Sequence, residues 1–145
     1  MTLRPTAVHE RLHKLRQVLR NLEHVREVPE EEFLASFRHY WLAERGLHLA
    51  AEIVFDIGNH VLANRYNVHP SDYEDVLQKL ASQGVITPEL RAKMRGLGGF
   101  RNVLVHAYLD VDEARVYESL HRELDSFIDF AREIEVFLAE DAGEG

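Results

Sequence analysis

Along nearly the whole chain, from Val8 to Leu138, apolar residues return every three or four positions, the period of an amphipathic helix. That feature confines the fold to packed helices. Val8, Leu12, Leu15, Leu19 and Leu22 mark the apolar face of a first helix over about Ala7 to Val25. Pro29 followed by Glu30, Glu31 and Glu32 reads as the acidic first turn of a second, continuing to about Arg65 with Gly46 and Gly58 inside it. Gly58 suits the close packing of another helix better than a break. Ser71 with Glu74 makes a capping box for a short third helix ending at Gly84. Thr87-Pro88-Glu89 opens a fourth, with proline in the first turn, where its missing N–H costs nothing. Gly96, Gly98 and Gly99 weaken that helix by about 1 kcal/mol each relative to alanine, and so predict a kink or a close helix contact. Asp112 caps a last helix that carries Val116, Leu120, Leu124, Ile128, Ile134 and Leu138 on or near its apolar face, and residues 140–145 read as a disordered tail. The expectation is an all-α antiparallel bundle of about four main helices and one short one, in a single domain over residues 1–139.

A chain of 145 residues can bury a real core, and it contains no cysteine, which excludes disulfides, thiolate nucleophiles and cysteine-ligated metal. No run of eighteen apolar residues occurs, and the N-terminus is too basic and polar for a signal peptide. A cytoplasmic protein without a membrane partner is expected. The net charge of −8 argues against nucleic acid, but its distribution argues less. Residues 1–26 carry six basic and two acidic side chains, residues 27–84 four and ten, residues 85–108 four and one, and residues 109–145 three and twelve. The basic stretch with Arg91, Lys93, Arg95 and Arg101 can hold a phosphate backbone; solvated faces of amphipathic helices are the other reading.

That stretch contains Gly99-Phe100-Arg101-Asn102-Val103-Leu104-Val105-His106-Ala107-Tyr108. Arg101 cannot lose its charge and offers a planar fork of donors to a phosphate, while His106 gives or takes a proton near neutral pH. These are the two tools needed to cleave RNA without a metal: a base for the ribose 2′-hydroxyl, a cation for the developing charge and an acid for the leaving 5′-oxygen. On a helix, residues five apart lie about 140° apart, so the pair would flank a groove, and Asn102 would share the face of His106. As an isolated spacing, however, it reads first as a surface ion-pair partner and a satisfied histidine. Tyr108 reads either as a stacking platform for a base or as a buried ring.

Two other features stand out. His48, Glu52, Asp56 and His60 form one stripe of the second helix, and Glu10-x-x-His13 supplies a Glu-x-x-His. A di-iron bundle needs two such motifs and two further glutamates, so a polar stripe packed through hydrogen bonds is the better reading and no cofactor is implied. Phe33, Phe37, Tyr40, Trp41 and Leu42 can equally be an interface or monomer core.

The Arg101-x4-His106-x-Tyr108 segment resembles the signature of the HEPN superfamily, and specifically its HepT-like branch. Gly46 to Ala63, with Asp56-Ile57-Gly58-Asn59-His60, is similar to that branch's long second helix. Ser71-Asp72-Tyr73-Glu74, the run to Gly84-Val85-Ile86, and Gly99 to Asn102 follow the same order, so the resemblance spans roughly residues 10 to 138. It implies a helical ribonuclease toxin with Arg101 and His106 catalytic and Asn102 supporting. It also implies that Asp56 or Asn59, near the cleft, orients Arg101 or His106. Tyr108 would accept AMP from a partner MNT-type nucleotidyltransferase antitoxin, silencing the nuclease. The implied partners are RNA (tRNA or mRNA), that antitoxin, and a second copy in a homodimer or higher assembly. The alternative is a non-catalytic regulatory or substrate-binding subunit of a nucleotidyltransferase.

Overall fold

The computed structural model describes residues 4–106 and 112–144, with the backbone alone for residues 102–106 and 144. Among these residues there are seven helices and no strand: α1 (Pro5–Arg26), α2 (Glu30–Ala35), α3 (Phe37–Tyr66), α4 (Tyr73–Ser82), α5 (Pro88–Lys93), α6 (Leu97–His106) and α7 (Glu113–Glu144). The all-α bundle is the expected one, with the long helices α1, α3 and α7 packed on one another and the short helices laid around them.

Helix α1 begins with Pro5 in its first turn and buries Val8, Leu12, Leu15, Val18, Leu19, Leu22 and Val25. The expected second helix is divided. Ser36 is extended (φ −133°, ψ 120°), and its hydroxyl accepts the Arg38 N–H to cap α3. The break turns Phe33 inward, fully buried, with its ring 5.1 Å from Tyr117 of α7. Tyr40 is buried as well, and burial followed by its hydrogen bond to Glu44 pushes the phenol pKa up. Phe37, Trp41 and Leu42 remain outside, each about 60 % exposed, so the aromatic cluster divides between core and surface.

Glycines set two helix contacts. A Cβ on Gly46 would lie 2.5 Å from Leu22, and one on Gly58 would lie 2.5 Å from Val76 and 3.1 Å from Leu80 of α4. Gly58 therefore serves close packing, as expected, within an unbroken α3 that ends at Asn67 in the left-handed region (φ 55°).

The capping of α4 differs by one residue from the expected Ser71/Glu74 box. Asp72 accepts the Asp75 N–H at 2.8 Å, and Asp75 accepts the Ser71 N–H at 2.9 Å, a bond that holds the Asp75 carboxyl below its usual range. Glu74 is thereby left for another task. Thr87 caps α5 through the Leu90 N–H and is itself held by Glu133 of α7. The glycine-weakened fourth helix is a full break: α5 stops at Lys93, Gly96 takes φ 91°, and α6 starts at Leu97. Asp112 caps α7 through the Arg115 N–H. That helix continues to Glu144, through most of the span read as a tail from the sequence: alanine and glutamate favour the helix, and Asp141 meets Arg65 at 2.6 Å.

Gly58→Ala should destabilise the protein by about 1–2 kcal/mol in urea unfolding, because overpacking outweighs the gain in helix propensity. Gly99→Ala, with nothing within 4 Å of the added methyl, should stabilise by about 0.5–1 kcal/mol. Equal signs for the two would remove close packing as the reason for Gly58.

Candidate active site

The helix that carries the motif is short and begins with Leu97-Gly98-Gly99, a sequence that holds a helix poorly by itself. It is positioned from outside. The Glu74 carboxylate accepts the N–H groups of Gly96 at 2.7 Å and Gly98 at 3.2 Å, placing a negative charge at the N-terminus of α6, where the helix dipole favours it. Gly98 lies against Tyr73; a Cβ there would be 2.7 Å from the Tyr73 Cβ. The pair Tyr73-Glu74 thus docks the start of α6 on the start of α4.

One turn on, Arg101 points at α3. Its Nε donates to Glu52 Oε1 and its guanidinium carbon lies 5.1 Å from the centre of the Tyr73 ring. Tyr73 is backed by Phe55, ring centres 4.5 Å apart. The arginine is half-buried, with a carboxylate at one edge and a π-face beneath it. Beside it, Glu52, Ile53, Phe55, Asp56, Asn59 and Tyr73 line an open cleft of about 360 Å³.

The four members of the polar stripe do different jobs. His48 Nε2 lies 3.5 Å from Glu52 Oε1, Glu52 meets Arg101, and Asp56 pairs with Arg11 of α1 at 2.7 Å. Nε2 of His60 is buried without a hydrogen-bond partner, and desolvation, reinforced by Arg11 and Arg4 and opposed by Asp56, lowers the His60 pKa. Among the described residues no three histidines or carboxylates converge to hold a metal.

The expected site residues are therefore partly brought together. Asp56 and Asn59 line one cleft together with Glu52 and Tyr73, the two partners of Arg101, but Asp56 engages Arg11 whereas Glu52, one turn earlier, engages the motif arginine. Asn102 and His106 lie on α6, five residues or fewer from Arg101, with side chains outside the description; Tyr108 lies outside the described residues. Three of the four cations of the basic stretch meet carboxylates: Arg91 approaches Glu74 at 3.9 Å, Lys93 approaches Asp129 at 3.6 Å, and Arg101 holds Glu52. Glu52 and Tyr73 were missed as partners of Arg101. The helical period brings Glu52 to the stripe, but only the tertiary packing of α6 reveals which member of the stripe an arginine reaches.

A family model described as "Ribonuclease HepT-like" matches residues 10–134. The chain belongs to the HepT-like family. Among curated relatives, the tRNA nuclease HepT of Aphanizomenon flos-aquae is 26% identical over 136 residues, 94% of this chain and 92% of that protein. Among solved structures, the Bacillus subtilis cytosolic protein YutE superposes with a TM-score of 0.84 at 21% identity, over 99% of this chain and 96% of that one. The tri-AMPylated HEPN toxin of Shewanella oneidensis, in complex with its MNT antitoxin, superposes with a TM-score of 0.77 at 21% identity, over 89% and 96%. These structures share the fold of this HepT-like chain. No helix among its described residues is long and apolar enough to cross a membrane.

Two outcomes test this geometry. Glu74→Ala should cost about 1 kcal/mol and speed amide exchange at Gly96 and Gly98 more than in α1 or α7; uniform acceleration would deny the cap its local role. For His60, the unfolded chain takes up a proton near its ordinary pKa of 6.5, whereas the folded protein resists it. Stability should therefore fall as pH drops below about 6.5, and His60→Asn should lose less between pH 7.5 and 5.5 in urea unfolding. An unchanged gap between the two proteins would count against the buried neutral imidazole.

Proposed function

We propose that this HepT-like protein is a metal-independent ribonuclease and the toxin of a toxin–antitoxin pair. The observation that carries the reading is Arg101, on the same helix as His106 and anchored by Glu52 and Tyr73, which line a cleft. In the proposed reaction the ribose 2′-oxygen, losing its proton to a base, bonds to the adjacent phosphorus. The bond to the 5′-oxygen breaks, that oxygen takes a proton, and a 2′,3′-cyclic phosphate remains. Arg101 stabilises the charge on the phosphorane oxygens and His106 transfers protons. Asn102 helps to position the phosphate or His106, and Asn59 and Asp56 line the approach.

One His106 per chain serves poorly as base and acid in the same step, so a homodimer with two motifs facing one cleft suits the chemistry. The exposed Phe37 and Trp41, packed edge to face at 4.9 Å, offer an apolar face for it. The relative described as a tRNA nuclease supports an RNA substrate, and the HEPN toxin solved with an MNT antitoxin supports a nucleotidyltransferase partner. AMP transfer to Tyr108 would add bulk and negative charge two residues from His106, blocking the substrate. The cytosolic description of YutE supports a cytoplasmic site of action.

Unmodified protein should fragment total RNA and tRNA in excess EDTA and leave cyclic phosphate ends. His106→Ala and Arg101→Ala should each lower cleavage at least a hundredfold while retaining the helical circular-dichroism spectrum. Silence from the unmodified wild type would instead favour the regulatory-subunit reading, and cleavage by His106→Ala would remove the assignment of that residue.

A further inference from the structure

A second concavity lies away from the Arg101 cleft, between the C-terminal half of α1 and the N-terminal half of α3. It measures about 510 Å³. It exists because Gly46 lets Leu22 sit against the α3 backbone, which lowers the floor between the two helices. The floor is aliphatic, with Leu22 and Val25 from α1 and Leu42 and Leu49 from α3. Its rim carries two cations, Lys14 and Arg45, together with His24, and no carboxylate is among the lining residues. In a chain of net charge −8 this is a local reversal of sign. Leu42 is 59% exposed, although it faces an apolar groove.

We propose that this groove docks an acidic amphipathic helix of a second protein. The span from Leu42 to Leu49 is about 10 Å, two helical turns, and an incoming helix would lay apolar anchors at i, i+3, i+4 and i+7 on the floor. Acidic residues flanking those anchors would meet Lys14 and Arg45 on opposite lips. Self-association through this surface fits less well, because two concave faces do not fill one another and a two-fold contact would set basic rims against basic rims. Single-stranded RNA fits less well too, since no Phe, Tyr or Trp lines the groove as a platform for successive bases. Leu49 is one helical turn from Glu52, the carboxylate that holds Arg101, so a helix seated here would stand beside the candidate active site. The proposal does not depend on the ribonuclease reading, and binding is measured without turnover.

The test uses the full chain and two fluorescein-labelled 18-residue helical peptides, identical in their leucine stripe, one carrying glutamate and the other lysine at the remaining positions. Fluorescence anisotropy should give saturable binding of the glutamate peptide and at least tenfold weaker binding of the lysine peptide. The double variant Lys14→Glu/Arg45→Glu should reverse that preference. Three results would overturn the proposal: equal binding of the two peptides to the wild type, displacement of the bound peptide by a 15-nucleotide RNA at constant ionic strength, or a fall in the mass of the double variant by light scattering. The second outcome would make the groove a nucleic-acid surface, and the third a contact between copies of this chain.

Discussion

The rest of the structure depends on one thirty-residue helix, α3, which has to be packed from several sides at once. Helices α1, α7, α4, α6 and α2 all lie against it. Each large apolar side chain that it buries, Leu47, Ile57 and Leu62 among them, contributes about 1.5–3 kcal/mol. That gain requires its neighbours to come close, and the two glycines make this possible: Gly46 admits Leu22, and Gly58 admits Val76 and Leu80. The remaining sector of α3, too polar to be buried in a core, carries His48, Glu52, Asp56 and Asn59. A helix obliged to be apolar on most sides thus presents its polar residues along one line, and the cleft forms along that line.

The placement of Arg101 follows from this and not from the helix on which it lies. A ten-residue α6 with two glycines in its first turn would not persist alone in water. It is fixed at its start by Glu74 and Gly98 and in its middle by the Arg101–Glu52 pair. Both anchors come from partners distant in sequence. The placement of Arg101 therefore depends on the packing of α3 and α4 through Gly58.

Much of the fold was legible in local chemistry. The apolar period gave α1 nearly to its ends, Thr87-Pro88 and Asp112 marked helix starts where hydroxyl and carboxylate caps are found, and Gly58 was read as a contact. The break at Ser36 was not legible, because the apolar period survives it: Phe33 and Tyr40 are both buried across the gap, and the gain comes from Phe33 meeting Tyr117 more than eighty residues away. The cap of α4 was displaced by one residue because Ser71, Asp72, Glu74 and Asp75 offer several boxes, and only the tertiary demand for Glu74 at α6 selects among them. In the candidate site, the spacing singled out Arg101 and His106 on one helix; which carboxylate of a regular stripe faces the arginine depends on the rotation and height of α6 against α3, a quantity no local pattern encodes.

Charge also changes meaning once the chain is folded. The basic excess of residues 1–26 is partly spent inside the fold, where Arg11, Arg16 and Arg26 pair with Asp56, Glu135 and Asp125 respectively. The acidic excess of the C-terminal helix is thus partly the counter-charge of α1. Such pairs are partly exposed and each is worth about 0–1 kcal/mol, so they orient side chains more than they hold the bundle together. Their larger consequence is for binding. An anion that comes to Arg101 has to share it with, or take it from, Glu52, and phosphate does so only where its own charge and geometry exceed those of the carboxylate. Glu52 therefore acts in two opposed senses: it aims the guanidinium and it competes for it. A ligand that offers a single weak anion gains little from displacing it. One that develops additional negative charge on oxygens held by Arg101, as a phosphorane does, gains most at the point where that charge is greatest.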